Sequence, residues 1–283
     1  MKILIILTGG TIGSSVKDNY ISVDSTPYIV KYALEKHKDI SFHIISPFTI
    51  LSEYLDSKHI NAILDCVDAN NNEFDGIIIT HGSDTIHYTA AALALCVRTE
   101  VPIMVVCAAK PPADPQSNAY INFDTAVEYI KYKNNKGVYV PYKNDSDQKA
   151  IIHDPLTLLP HQGFSADLYS DGVSTINKEE FYNKRLCEDD NVLIVHSYPD
   201  CVYPSLNKQI KSVILIPYHS GTLCCNEKLK EFCNSAAALG IEVYTLAKDG
   251  IQYESVKEFS NLAIKCVNGI SQSALYIMLK LKQ

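Results

Sequence analysis

The segment ILIILTGGTIG, residues 3–13, decides the fold, because a short apolar run leads directly into a glycine turn. Ile3–Leu7 is apolar on both faces, which is typical of a strand buried between two helical layers. The glycines that follow let the backbone turn sharply and approach a ligand closely. Ligands bind at the carboxyl ends of strands in such sheets, so residues 8–13 are a candidate site. A tight turn with two capping threonines is an equally good interpretation of this segment by itself.

The segment GIIITHGSDTIH, residues 76–87, repeats this arrangement of a buried strand, a polar turn and a helix start. Ser83 or Asp84 is suited to cap the free N–H groups of the first helical turn, and taken alone this segment favours that structural role. His81, directly after the strand, is interpreted as a hydrogen-bonded core residue. Neither segment contains G-x-G-x-x-G or G-K-[ST], which disfavours nucleotide binding, and residues 81–85 lack the glycines of a G-x-S-x-G elbow.

The rest of the chain alternates short apolar runs with helical patterns, which predicts an α/β fold with a mostly parallel sheet flanked by helices. The polar run KNDSDQK, residues 143–149, predicts a hairpin turn. The pattern restarts after a polar stretch, which predicts a second, smaller α/β domain. We therefore divide the chain into residues 1–170, a linker at 171–190, and residues 191–283. The further predicted strands are residues 42–45, 76–79, 102–107, 137–141, 192–195, 212–216 and 242–245.

Composition limits the function further. The net charge is −7, and the basic residues do not cluster apart from a short run near Lys131, Lys133 and Lys136, so no nucleic-acid partner is expected. The nine cysteines are odd in number and include no C-x-x-C pair, so we expect neither a disulfide framework nor a metal site. The apolar run at the N-terminus is too short for a signal peptide, and no stretch is long enough to span a membrane. A cytoplasmic location is expected.

Together the two glycine-containing segments are more specific than either alone, and with them the sequence resembles the bacterial-type L-asparaginase and glutaminase family. The family's hallmarks are a T-G-G-T-I segment on the first strand and an H-G-T-D-T segment on the third. Here they read Thr8–Ile12 and His81–Thr85. Further matches are spread along the chain. They are Asn19-Tyr20, Leu51-Ser52-Glu53, Ala108-Ala109-Lys110-Pro111, Asn122-Phe123 with Ala126-Val127, and Tyr218–Thr222.

The resemblance implies hydrolysis of a small-molecule amide, such as the side-chain amide of L-asparagine, without metal or cofactor. Thr11 would be the nucleophile, on a loop closed by Tyr20, and a partner would take its proton. Ser83 and Asp84 would correspond to the family's second threonine and its aspartate. Asp84 would also bind the substrate's α-ammonium group. The resemblance also implies a homodimer or homotetramer.

The remaining implied contacts concern substrate binding and the developing charge. The segment with Ser52 and Glu53 would hold the α-carboxylate, and the Ala108 carbonyl would receive the departing amide nitrogen. Backbone N–H groups near Thr11 and Ser83 would form the oxyanion hole.

The sequence departs from the family most seriously at its catalytic lysine, whose place falls on Leu159. Losing such a group is expected to cost about 10² to 10⁴ in rate. Lys110, Lys149 or His161 could compensate for it. Ser83 also replaces a threonine, and the adjacent pair Cys224-Cys225 is unusual in its spacing.

Three hypotheses follow from these departures. The first is an asparaginase-type amidohydrolase. The second is a catalytically weakened protein that keeps the amino-acid clamp of Ser52 and Asp84. The third is an enzyme for a larger amide or a peptide, with Leu159 lining a roomier pocket.

Overall fold

In a computed structural model that describes residues 1–24, 27–71, 73–133, 135–248 and 250–282, the chain forms a mostly parallel sheet, a smaller parallel sheet and a two-stranded hairpin. Helices pack around the two larger sheets. The strands are β1 (Lys2–Leu7), β2 (Ser14–Lys17), β3 (Tyr20–Val23), β4 (Ser41–Ile45), β5 (Gly76–Thr80), β6 (Pro102–Val106), β7 (Gly137–Tyr142), β8 (Ile151–His153), β9 (Val192–His196), β10 (Ser212–Ile216), β11 (Glu242–Leu246) and β12 (Ile264–Val267). The helices are α1 (Tyr28–Lys36), α2 (Ser57–Asn70), α3 (Ile86–Cys96), α4 (Ala119–Tyr132), α5 (Glu227–Ala238), α6 (Lys257–Asn261) and α7 (Gln272–Leu281).

The larger sheet confirms the predicted α/β fold. Its order is β4-β1-β5-β6-β7-β8, and all neighbouring pairs are parallel except the β7–β8 hairpin. Strands β5 and β6 are completely buried, as expected for strands covered by helices on both faces. Strand β1 pairs directly with β5, and Leu7 is opposite Thr80 at the end of the pair. The two glycine-containing segments therefore leave the sheet side by side.

The smaller sheet has the order β12-β11-β10-β9 and is parallel throughout. Helix α7 packs on this sheet through Leu275 and Leu279. Its other side, including Ala274 and Ile277, belongs to the core of the larger sheet. One helix therefore completes both hydrophobic cores.

The polar stretch between the two sheets is anchored to the larger one. Asn61 on α2 exchanges two hydrogen bonds with the backbone of Leu186, at 2.8 and 3.0 Å. Arg185 contacts Asp65 at 2.7 Å and Asp68 at 2.6 Å. Leu186 itself is buried. Residues 185 and 186, near the end of the segment predicted as a linker, therefore pack against α2.

Close backbone contacts lock the turns after β1 and β5 together. Gly10 has φ 72° and ψ 178°, a conformation that is essentially restricted to glycine. A Cβ atom on Gly10 would lie 2.2 Å from the backbone nitrogen of Gly82 and 2.3 Å from its Cα. A Cβ atom on Gly9 would lie 2.1 Å from the carbonyl oxygen of Ile50. Only glycine fits at these two positions, because the chain segments touch backbone to backbone.

Two histidines are buried where β5 leads into α3. His81 hydrogen-bonds through Nε2 to the Thr89 hydroxyl at 2.8 Å, whereas Nδ1 of His87 has no partner among the described residues. Burial lowers the pKa of His81 to about 4. Burial, with smaller contributions from His161 and His81, lowers the pKa of His87 to about 3. Both side chains are therefore neutral in the folded protein at neutral pH.

Replacing Gly10 by alanine is expected to destabilise the protein by about 3 kcal/mol or more, because backbone strain adds to the clash with Gly82. Gly240→Ala is the matched control, since Gly240 also has a positive φ (70°) but no atom near its Cβ position. The control should lose only about 1 kcal/mol. Urea unfolding of both variants measures the difference, and equal losses would contradict the proposed backbone contact.

The buried histidines should make stability depend on pH. The unfolded chain takes up protons below about pH 6.5, whereas the folded chain does so only near pH 4 for His81 and pH 3 for His87. The free energy of unfolding is therefore expected to fall as the pH is lowered from 6.5 to 4, by up to about 1.4 kcal/mol per pH unit for each histidine. Urea titrations at several pH values measure how steeply the free energy of unfolding changes with pH. In His87→Leu this slope should be smaller by the equivalent of about one proton. An unchanged slope would mean that His87 is not buried as a neutral side chain.

Candidate active site

Thr11 and Ser83 each begin a short 3-10 helix at the end of adjacent strands. The N–H groups of these first residues have no partner within their own helices. Neither 3-10 helix has a side-chain cap hydrogen bond, so the expected capping role is not observed. Both residues are partly exposed, and the contact between Gly10 and Gly82 places the residues that follow them next to each other. The two turns therefore lie side by side at the ends of β1 and β5.

The carbonyl groups that precede Thr11 and Ser83 are each held by a buried side chain. The Ser14 hydroxyl donates to the Gly10 carbonyl at 2.7 Å. The Nδ1 atom of His81 lies 2.8 Å from the Gly82 carbonyl oxygen. Ser14 and His81 are each only 1% exposed. The peptide groups on the amino side of Thr11 and Ser83 are therefore fixed in orientation.

A third segment, which begins at Ile50, closes the site on one side. Ser52 is buried, and a Cβ atom on Gly82 would lie 2.3 Å from its Oγ. The Thr85 hydroxyl donates to the Ser52 carbonyl at 3.0 Å, which ties this segment to the turn after β5. Glu53 is exposed. Of the two predicted carboxylate-binding residues, Ser52 thus lies against the second turn.

Asp84 and Ala108 lie near the ends of the neighbouring strands β5 and β6. Asp84 is exposed and forms no ion pair with any residue in the described ranges. Burial, with a smaller contribution from the Asp84 carboxylate, raises the pKa of the Cys107 thiol well above its usual value. Asp84 is thus close to the end of β6, where the fully buried Ala108 follows Cys107.

Tyr20 lies apart from the two turns. It begins strand β3 of a hairpin whose turn residues, Asp18 and Asn19, have φ angles of 48° and 64°. Its side chain is 76% exposed, and its hydroxyl makes no hydrogen bond with any described residue. The hairpin is attached to the site through the hydrogen bond from Asp24 N–H to the Gly13 carbonyl, at 2.9 Å.

The position expected for the family lysine faces a cavity between the two sheets. Leu159 lines this cavity of about 800 Å³ together with Thr157 and His161. Pro160 and Gln162 line the same cavity. Leu158, between Thr157 and Leu159, is fully buried in the core of the larger sheet.

The candidate substitutes for the lysine have different surroundings. Lys110 hydrogen-bonds to Gln116 within its own loop, and Lys149 is exposed in the β7–β8 connection. His161 lies 2.8 Å from the Asp167 carbonyl oxygen through Nδ1, and its buried Nε2 has no partner among the described residues. Its ring is 6.2 Å from that of Tyr142, at the end of β7. Of the three, only His161 offers a buried nitrogen that is not already engaged.

The remaining sequence features are the cysteines, possible metal ligands and apolar stretches. All nine cysteines are free, including Cys224 and Cys225. Within the described ranges no group of three or more metal-binding side chains is found, and no helix is long and apolar enough to cross a membrane.

Two features of the site have no signal in the sequence. The first is Ser14, since a serine at the start of a strand has no distinctive pattern of its own. His81 was interpreted as a core residue, and its two hydrogen bonds agree with that interpretation. The contact between His81 and the Gly82 carbonyl depends on the fold of the turn and has no counterpart in the sequence pattern.

Comparison with solved structures supports the fold. The thermostable L-asparaginase from Thermococcus kodakarensis matches with a TM-score of 0.75 and 20% identity, over 99% of this chain and 92% of that one. L-asparaginase I from Vibrio cholerae O1 biovar eltor str. N16961 matches with a TM-score of 0.70 and 19% identity, over the same shares. At this level of identity the likeness shows the fold.

Curated relatives match about half of the chain. A subunit of glutamyl-tRNA(Gln) amidotransferase from Methanobrevibacter smithii is 32% identical over 141 residues, which are 46% of this chain and 31% of that protein. The same subunit from Methanococcus vannielii is 36% identical over 150 residues, 52% of this chain and 35% of that protein. The matched part spans about a third of the length of these relatives.

The family model described as "Asparaginase, N-terminal" matches residues 2–155, which is more than half of the 283 residues. This range contains both glycine-containing turns and the Ile50 segment packed against them. The match agrees with the fold and with the resemblance seen in the sequence. The chain therefore belongs to the asparaginase family.

Proposed function

We propose that this protein is an amidohydrolase that converts the side-chain amide of L-asparagine, or of a close relative, to the acid and ammonia. The backbone contact between Gly10 and Gly82 is the observation that supports this proposal most directly. Thr11 and Ser83 directly follow these two glycines, so the contact supports their acting together at the ends of adjacent parallel strands.

In this proposal Thr11 attacks the amide carbon, and Tyr20 reaches the site when its exposed hairpin closes. The N–H groups of Thr11 and Ser83 stabilise the negative charge on the carbonyl oxygen, and each such donor is worth about 3–4 kcal/mol. The Ala108 carbonyl, to which no described residue donates a hydrogen bond, accepts one from the departing nitrogen. Asp84 assists Ser83 and holds the substrate's α-ammonium, while Ser52 helps to hold the α-carboxylate.

Asp84 is exposed and has no ion-pair partner among the described residues, which favours a second candidate function. A carboxylate with no neighbouring cation can bind an ammonium group, but without the lysine the transfer of a proton from the nucleophile is weakened. The second candidate is therefore a protein that binds an amino acid, or that acts slowly on a different amide. His161 is the group we propose as a substitute for the lysine if hydrolysis is efficient.

The oligomeric state, the cellular location and the domain division of the protein are also proposals. We propose a cytoplasmic homodimer or homotetramer, with residues 1–170 and 191–283 as separate domains joined by residues 171–190. The name of the curated relatives describes them as one subunit of an amidotransferase, so a different partner chain is an alternative. Sedimentation analysis of the purified chain distinguishes a homo-oligomer from a monomer.

Thr11→Ala is expected to lower the rate of ammonia release from L-asparagine by about 10³-fold or more, because the attacking hydroxyl is lost. Thr11→Ser should keep a measurable rate. Thr125→Ala is the control, since the Thr125 hydroxyl bonds only to its own helix at Ile121. Equal, near-zero rates in the native chain and Thr11→Ala, together with saturable binding of asparagine, would support the binding protein instead. A panel with L-glutamine and larger amides tests the identity of the substrate.

Asp84→Asn is expected to raise KM for L-asparagine by about 10- to 100-fold, because a charge-assisted hydrogen bond worth about 1.5–3 kcal/mol is lost. The same amide without its α-amino group is the matched control substrate. Its KM should be high in the native chain and almost unchanged by the substitution. If both substrates are affected equally, Asp84 does not bind the ammonium group.

A further inference from the structure

We propose that Ser14 and His81 are positioning residues that aim the two N–H groups of the oxyanion hole. Each contacts the carbonyl of a peptide group whose N–H is one of the two proposed oxyanion donors. The pairs are Ser14 with the Gly10–Thr11 peptide and His81 with the Gly82–Ser83 peptide. This inference rests on the proposed amide hydrolysis, and it assigns a task to two side chains that do not touch the substrate.

The geometry of the peptide group carries the argument. A peptide is planar and trans, so its C=O and N–H groups point in opposite directions from one plane. Holding the Gly10 carbonyl at 2.7 Å from the Ser14 hydroxyl therefore also fixes the direction of the Thr11 N–H. The 2.8 Å contact of His81 does the same for the Ser83 N–H. Both peptides follow a glycine, where the backbone would otherwise rotate most freely.

The hydrogen bonds of His81 fix its tautomer. The Gly82 carbonyl oxygen can only accept, so Nδ1 carries the proton. Nε2 is then the acceptor for the Thr89 hydroxyl at 2.8 Å. Because burial lowers the pKa of His81 to about 4, this neutral form persists through the neutral pH range. The hydrogen bond from His81 to the Gly82 carbonyl, which we call a clamp together with that from Ser14 to the Gly10 carbonyl, is therefore present throughout the neutral pH range.

Burial makes both clamps effective. Ser14 and His81 are 1% exposed, so water does not compete for the two carbonyl groups. A carbonyl that accepts a hydrogen bond polarises its peptide, which strengthens the N–H as a donor. The Gly10 carbonyl accepts a second bond, from the Gly13 N–H at 3.0 Å. The two side chains thus orient and polarise the donors before substrate arrives, which is what stabilisation of a developing oxyanion requires.

The test compares two amide substitutions at the same position. His81→Asn places an N–H donor where Nδ1 lies and keeps the clamp, whereas His81→Gln places its amide near Nε2, beside Thr89. Both replace a buried imidazole by an amide, so their effects on thermal stability should be similar. We expect His81→Gln to lower kcat by about 10- to 100-fold with KM nearly unchanged, since a misaimed donor loses part of its 10²- to 10³-fold contribution. His81→Asn should retain kcat within a few-fold of the native value.

Ser14→Ala tests the other clamp. Its control is Thr245→Val, which removes an equally buried hydroxyl that donates to a strand carbonyl, Leu215, at 2.8 Å in the smaller sheet. Both should lower the melting temperature to a similar extent. Only Ser14→Ala should lower kcat, by about 10-fold, because only its acceptor carbonyl belongs to an oxyanion-hole peptide.

The outcomes separate this inference from the proposed function. If the native chain hydrolyses amides and His81→Gln matches His81→Asn in kcat, or Ser14→Ala matches its control, the positioning role is wrong. If the native chain hydrolyses no amide, the proposed function fails. In that case the two hydrogen bonds are tested by the chemical shifts of the Thr11 and Ser83 backbone amides in ¹⁵N-labelled protein. Large shifts in Ser14→Ala and His81→Gln, absent in Thr245→Val, support them, and unshifted resonances overturn them.

Discussion

The contact between the backbones of Gly10 and Gly82 is the constraint on which the rest of the site depends. Without side chains at these two positions, the turns after β1 and β5 approach until their peptide groups touch. Pairing of the two strands sets the direction of the approach, and Ile50 completes it from the other side of Gly9. The catalytic candidates are carried on this framework of backbone atoms, so their positions depend little on side-chain flexibility.

One acid beside this framework has no neighbouring cation among the described residues. Asp84 is exposed, and the position predicted for the family lysine holds Leu159, an apolar residue that lines a cavity between the sheets. The acid is thus available to a bound ammonium group rather than committed to an internal ion pair. In the proposed function such an acid suits the binding of an ammonium group, whereas fast turnover also requires a group that accepts a proton.

The sequence was sufficient for the sheet but not for the fine structure of the turns. Short apolar runs such as residues 76–79 predicted β5 because buried parallel strands leave a strong signal. The hairpin of β2 and β3 was missed, since its strands are short and partly exposed and its turn uses Asp18 and Asn19 at positive φ. The clamp from His81 was equally hidden, because a contact between a side chain and the next carbonyl depends on how the turn folds.

The core of the larger sheet, which is built from the first half of the sequence, is completed by helix α7, which follows it much later in the sequence. Its Ala274 and Ile277 fill the core over the larger sheet, and Tyr276 meets Tyr88 of α3 at 5.5 Å between ring centroids. A ribosome therefore delivers the strands of that sheet well before the helix that covers them. Until α7 is synthesised, the surface of α3 that it covers, including Tyr88, stays exposed, and apolar surface of this kind favours aggregation of incomplete chains.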